Sequence, residues 1–194
     1  MSQPRRPLRS LALAAIAAIA LAGCGRSQEA SDQPPGGPQG NASMKLTSAA
    51  LTDGKTISAE FTCDGAGLSP PLQWSQPPAG TQSFALVVED PDAPEGTFGH
   101  WGVYDLPAHA RQLHSGAAQK GSSDFRQTTS DFGDSGYGAP CPPPGDKPHH
   151  YHFRLMALDV AQLPGSPSGV KDIVGAAAGH VLGSAELVAL YGRR

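Results

Sequence analysis

Charged side chains are scarce in this 194-residue chain: 14 Lys and Arg and 17 Asp and Glu are outnumbered by 24 Gly and 19 Pro. So many helix breakers beside so few charges exclude a coiled coil or a helical bundle. A collagen-like or wholly disordered chain is excluded too, because no G-X-Y period exists and 39% of residues are hydrophobic. No extended run of Lys and Arg follows Arg9, so the phosphate-neutralising patch of a nucleic-acid binder is missing. The G-x-S-x-G elbow, the H-E-x-x-H helix and the P-loop are also missing, and no nucleophile stands paired with a base. A turn-rich globular domain without a recognisable catalytic motif is what remains.

Arg5, Arg6 and Arg9, the apolar run 11–22 and the absence of acidic residues make 1–23 a secretory signal peptide. The run has twelve residues and a membrane-spanning helix needs roughly twenty, which argues for a cleaved segment. Its ending, Leu21-Ala22-Gly23-Cys24, resembles the bacterial lipobox. The resemblance implies cleavage before Cys24 and acylation of its thiol and amine, palmitate included, so that the lipid bilayer is a partner. Three acyl chains, at about 0.8 kcal/mol per buried CH2, give effectively permanent anchoring. Gly25, where an Asp would signal inner-membrane retention, implies a bacterial outer membrane, facing the periplasm. Residues 24–43 then form a tether: 25–43 hold no large apolar side chain and cannot bury a core.

Without the leader, 11 basic residues face 17 acidic ones. Assigning Cys24 to lipid leaves Cys63 and Cys141 as an even pair in an oxidising compartment, either bridged or as two free thiols. Residues 44–194 are long enough for one core. Strands are expected at 83–89, 101–106 and 151–158, with weaker ones at 45–48, 57–62 and 72–75. In 151–158, Tyr151, Phe153, Leu155 and Ala157 share one face, and His152 and Arg154 the other. A short helix is expected at 170–179, opened by Asp172 and stopped by Gly179. The segment 181–191 fits either helix or strand. Residues 107–136 are expected to be surface loops. The fold class is therefore mostly β, an antiparallel β-sandwich or open barrel with a few short helices, one of them near the C-terminus.

Three clusters could carry chemistry. Asp90-Pro91-Asp92-Ala93-Pro94 places two carboxylates on a stiff turn directly after the best strand, suited to a neighbouring His or ligand or to simple turn capping. His100 opens the next strand, so one end of the pair could bring Asp90 and His100 together; a carboxylate beside an imidazole favours imidazolium, an anion receptor. His149 and Tyr151 project to one side of an extended chain, with His150 and His152 on the other. The spacing of His149, His150, His152 and Cys141 does not match the separated pairs of structural zinc sites, so no metal is expected, and no cofactor.

Asp-Pro-Asp-Ala-Pro at 90–94, Gly-His-Trp at 99–101, Asp-Phe-Gly at 131–133, Gly-Tyr-Gly at 136–138 followed by Pro-Cys-Pro-Pro, and His-His-Tyr-His-Phe at 149–153 resemble the phosphatidylethanolamine-binding protein family, in its bacterial Raf-kinase-inhibitor-like branch. Phe-Thr-Cys-Asp-Gly at 61–65 and Ser-Pro-Pro-Leu-Gln-Trp at 69–74 fit the same branch, so the match spans most of 44–194. The resemblance implies a two-sheet antiparallel β-sandwich with a small pocket for phosphate, acetate or a phosphoryl headgroup. It implies ligand-binding roles for Asp90 as the carboxylate orienting His100, Asp92 as its companion, His149, Tyr151 as a phenol donor, and Cys141 and Pro142 as loop residues closing the pocket. Ala139 stands where the branch has a second Gly, and His150 where it has Arg. A non-enzymatic binding module is expected; an inhibitor of a kinase, protease or other envelope protein is the alternative, and an esterase or phosphatase the remotest reading.

Overall fold

The computed structural model describes residues 43–120 and 123–194; the leader at 1–23, Cys24 and all of the tether but Ser43 lie outside the described residues. In chain order the strands are β1 (Leu46–Thr47), β2 (Leu72–Trp74), β3 (Ser83–Asp90), β4 (Phe98–Pro107), β5 (Gln112–Leu113), β6 (Arg126–Gln127), β7 (His149–Leu158) and β8 (Val181–Tyr191), with helices α1 (Ala117–Lys120) and α2 (Val170–Ala177). A three-stranded sheet runs β1-β2-β5 and a five-stranded sheet β6-β4-β3-β7-β8, every named pair antiparallel. The expected sandwich is observed.

Alternation along β3 explains its position. Phe84, Leu86 and Val88 face the small sheet, meeting Leu46, Leu72, Trp74 and Leu113 in the main core. Trp74 and Phe84 pack edge-to-face with ring centroids 5.4 Å apart. Ala85 and Val87 face the other way, onto Ile173, Val170 and Ala177 of α2. A strand covered on both faces needs apolar residues at every step, which is why its sequence reads as a continuous run. Each large side chain buried here contributes about 1.5–3 kcal/mol.

Several expectations need correction. Residues 57–62 form no strand: Ala59–Phe61 is a 3-10 turn, closed by bonds from Phe61 N–H to Ser58 and Thr62 N–H to Ala59. Local turn bonds win there because pairing with β8 stops at the start of the segment, where Thr56 bridges Leu190 and Ile57 N–H donates to the Leu190 carbonyl (2.7 Å). Residues 107–136 are not merely loop but hold β5, α1 and β6; two-residue strands are too short to show a period. The ambiguous 181–191 segment is strand β8, paired along nearly its whole length with β7. That ladder outweighs helix preferences of a few tenths of a kcal/mol per residue. Helix α2 starts where expected, with Asp172 Oδ2 accepting the backbone N–H groups of Ser168 and Gly169 and the Ser168 hydroxyl.

Candidate functional site

Antiparallel pairing puts the end of β3 beside the starts of β4 and β7. With β3 central in its sheet, Asp90 lies between the strands carrying His100 and His149. Asp90 continues the row Phe84, Leu86, Val88, and His149 continues the row Tyr151, Phe153, Leu155, so both side chains are the polar ends of apolar faces.

His100 gets there differently. Val88 pairs with Trp101 but Glu89 pairs with Gly99, so His100 is an extra residue, a β-bulge. Gly99 approaches Val170 and Gly102 approaches Ile173, both residues of α2, although positions three apart in a regular strand face opposite ways. The bulge therefore lets His100 and Trp101 both leave the α2 face, and the His100 ring meets Tyr151 with centroids 5.1 Å apart. The loop after β6 clamps this kink. Gly99 N–H donates to Asp131 Oδ2 (2.7 Å), Asp131 N–H to the Gly99 carbonyl (2.8 Å), and Gly138 N–H to the His100 carbonyl (2.7 Å). Only glycine fits at 99, where a Cβ would stand 2.7 Å from that of Val170.

A cavity of about 150 Å3 opens between these elements. Its polar side chains are Asp90, His100, His149 and Tyr151, between 0 and 6% exposed; Phe98, Phe132, Ala93 and Pro94 with Cys141, Pro142 and Pro143 complete the wall. His149 Nδ1 donates to Asp90 Oδ2 (2.7 Å), while Asp90 Oδ1 accepts the Asp92 N–H (2.9 Å). His100 Nδ1 donates to the Gly138 carbonyl (2.7 Å). Each imidazole thus has Nδ1 committed; the Nε2 of His149 lies 3.8 Å from Asp146 Oδ2, beyond hydrogen-bond distance, and an Nε2 donates only when its ring is protonated. Burial holds His100 below its ordinary pKa, against the opposing pull of the Gly138 carbonyl and the Asp90 and Asp131 carboxylates. Burial, then the charge of Asp90, pushes the Tyr151 phenol up, so it is a neutral donor. Asp90 acts on it through charge and through the close approach of its carboxylate, which falls short of an aligned hydrogen bond and leaves the buried Tyr151 hydroxyl without a partner.

Among the described residues no three His, Cys, Asp or Glu side chains converge as metal ligands. A larger cleft of about 350 Å3 lies at the opposite end of the sandwich, between Leu106, Leu113, Ala117 and Phe125. None of its lining residues carries a buried polar atom without a partner, so volume alone does not make it the site.

The sequence pattern of the phosphatidylethanolamine-binding protein family matches residues 47–192. The chain belongs to this family. It is 42% identical over 157 residues to the UPF0098 protein of Aquifex aeolicus, covering 79% of this chain and 91% of that one. LppC of Mycobacterium tuberculosis, provisionally named a lipoprotein, is 36% identical over 180 residues, 86% of this chain and 87% of its own. The crystal structure of Escherichia coli YbcL, described as a new member of the mammalian PEBP family, superposes with a TM-score of 0.75 at 34% identity, covering 79% of this chain and all of YbcL.

The pairings inside this cavity differ from those expected. Asp90 orients His149, across β3 and β7, and not His100; the Gly138 carbonyl holds His100. Asp92 does not line the cavity. Its Oδ2 accepts the N–H (2.8 Å) and Nδ1–H (2.7 Å) of His150 on the outer face, which holds its carboxyl below the usual range. Ala139 also stands off the cavity, in the groove beside Cys63 and Cys141. Those cysteines form a disulfide, with Cα atoms 5.4 Å apart, so the bridged alternative is the one observed. Sequence reasoning missed the apolar wall. Phe132 was visible inside the Asp-Phe-Gly motif, yet only its ring contacts, 4.7 Å to Phe98 and 5.5 Å to His100, show that it forms the cavity's half-exposed lip. Ala93, Pro94 and Pro143 lie inside the motifs at 90–94 and 140–143, whose pattern assigns them no role as wall, and Phe98 carries no signal of its own.

Proposed function

We propose that the chain is a membrane-tethered, non-enzymatic module whose cavity takes small phosphate-like or phosphorylated anions. The observation that carries this reading is the buried Tyr151 hydroxyl without a partner, beside the Nε2 of His100 and that of His149, which faces only the half-exposed Asp146 carboxylate at 3.8 Å. A buried polar group left unpaired costs about 1–3 kcal/mol, and a ligand rich in acceptor oxygens removes that cost. The phenol is a neutral donor to an oxyanion, and the His100 imidazole adds a charge-assisted Nε2–H donor when the ring takes up a proton together with the anion. At about 150 Å3 the cavity is smaller than the roughly 300–1,000 Å3 of drug-sized sites, matching a headgroup and not an acyl chain. No Ser, Thr, Lys or free thiol lines it, which supports binding without turnover.

Membrane tethering rests on the leader, on Cys24 in its lipobox-like context, and on the lipoprotein name of LppC. We assign the chain to the bacterial envelope, anchored in the outer membrane and facing the periplasm. Titration calorimetry with inorganic phosphate and phosphorylethanolamine tests the ligand class. Binding is expected for wild type and lost in the His100→Ala, His149→Ala double variant; equal binding by both refutes the cavity assignment.

A further inference from the structure

The cavity shares a wall with a chemically distinct feature. Cys141 lines the cavity, and with Cys63 it also lines an open groove on the outer side of the same loop, beside Tyr137 and Ala139. Cys63 is exposed and Cys141 half-buried. Their surroundings are unequal in charge. The Arg193 guanidinium reaches Cys141, Nη1 lying 3.7 Å from Sγ. Asp64, next to Cys63, is held by Arg193 Nε at 3.2 Å and by the Tyr191 hydroxyl at 2.6 Å. The Arg193 guanidinium, itself paired with Asp64, lies against the Cys141 sulfur, so negative charge is better accommodated on Cys141.

We propose that the Cys63–Cys141 disulfide is a thiol–disulfide exchange site, attacked at Cys63 by the thiolate of a dithiol protein, and that its opening loosens the anion cavity. The attacking sulfur forms a mixed disulfide with Cys63 Sγ, and the electron pair of the broken S–S bond leaves on Cys141 Sγ beside Arg193. The partner's second thiolate then attacks its own sulfur in the mixed disulfide and expels the Cys63 thiolate. The two protons of the dithiol end on Cys63 and Cys141; the partner is oxidised by two electrons and this bridge reduced.

The consequence for the cavity follows from what the bridge holds. Cys141, Pro142 and Pro143 are its wall, and Gly138, three residues earlier, fixes His100. Without the covalent link this loop is tied to the 59–65 turn by the Cys63 N–H to Pro140 carbonyl bond (3.1 Å) and the Tyr137 hydroxyl to Phe61 carbonyl bond (2.9 Å). The coupling to ligand rests on anion binding by the cavity; the exchange chemistry does not.

The test uses reduced glutathione on the folded, oxidised protein, with iodoacetamide quenching and peptide mapping. Glutathione is expected on Cys63 with alkylated Cys141; the reverse pattern, or a bridge that opens only as fast as the protein unfolds, overturns the exchange site. Arg193→Gln should slow opening roughly threefold, the worth of one partly exposed charge contact, and Arg193→Lys should restore part of it; an unchanged rate in Arg193→Gln removes the leaving-group assignment. After reduction, phosphate affinity should fall roughly tenfold while the far-ultraviolet dichroism stays native, and the His100 imidazole resonances should shift. Unshifted resonances or global unfolding refute the coupling, and they do so even if phosphate fails to bind to the oxidised form.

Discussion

Removing one oxygen atom, in Tyr151→Phe, separates a ligand-binding role for this side chain from a structural one. The ring would remain where it is, buried and edge-on to His100 at 5.1 Å, because the phenyl group retains its shape and apolar area. The lost hydroxyl has no hydrogen-bond partner in the protein, so its removal leaves nothing unsatisfied. Burying such a group costs about 1–3 kcal/mol before compensation, and the ligand-free variant is therefore expected to be as stable as wild type or up to about 1 kcal/mol more stable. For a domain of this size that is a Tm unchanged or raised by roughly 2–4 °C. Phosphate binding should move the other way. A hydrogen bond to a charged acceptor is worth about 1.5–3 kcal/mol, so the dissociation constant should rise roughly 10- to 150-fold. Calorimetric titration and thermal unfolding of the same preparations read both effects. A variant destabilised by more than about 1 kcal/mol with unaltered phosphate affinity would refute the reasoning, since the hydroxyl would then be structural.

Further outcomes follow from the same geometry. Because burial holds the folded His100 pKa below its ordinary 6.5, the unfolded chain takes up a proton that the native protein refuses. Its contribution is complete above about pH 6.5 and is lost as pH falls toward the folded pKa, so urea midpoints of wild type should drop relative to His100→Gln between pH 7.5 and 5.5; a constant difference would contradict this. Replacing Cys63 and Cys141 together by Ser frees a loop of 78 residues, with an expected loss of about 4–5 kcal/mol by chain entropy, measurable by denaturant titration. Gly99→Ala drives a methyl group into Val170 and should cost about 1–3 kcal/mol while disturbing the His100 resonances; a neutral substitution would mean the bulge is not held against α2. Asp92→Asn, removed from the cavity wall, should change phosphate affinity less than about threefold.

Much of the scaffold was legible because two-sided burial leaves a local trace. The unbroken apolar run of β3 announced a strand covered on both faces, and the alternation of Tyr151, Phe153 and Leu155 against His152 and Arg154 gave the orientation of β7. From those phases alone Asp90, His149 and Tyr151 fall on the sandwich side, at strand ends. His100 does not: counted back from Trp101 in regular alternation it would face α2, and only the inserted residue opposite the Val88/Glu89 step turns it inward. That bulge depends on Asp131 and Gly138, more than thirty residues downstream, so no local pattern encodes it.

Sequence by itself determined the chemistry available: which residues alternate, that one even pair of cysteines remained, and that carboxylates, imidazoles and a phenol stand near strand ends. Tertiary structure decided the partnerships. Asp90 reaches His149 and not His100 because β3 lies between β4 and β7 and the kink commits His100 to a loop carbonyl. Asp92, two residues on, turns outward to His150, and Phe132 arrives from a distant loop to form the lip. Strand phase is a property of neighbours along the chain, whereas pairing across a sheet and closure by a loop depend on segments that meet only when folded.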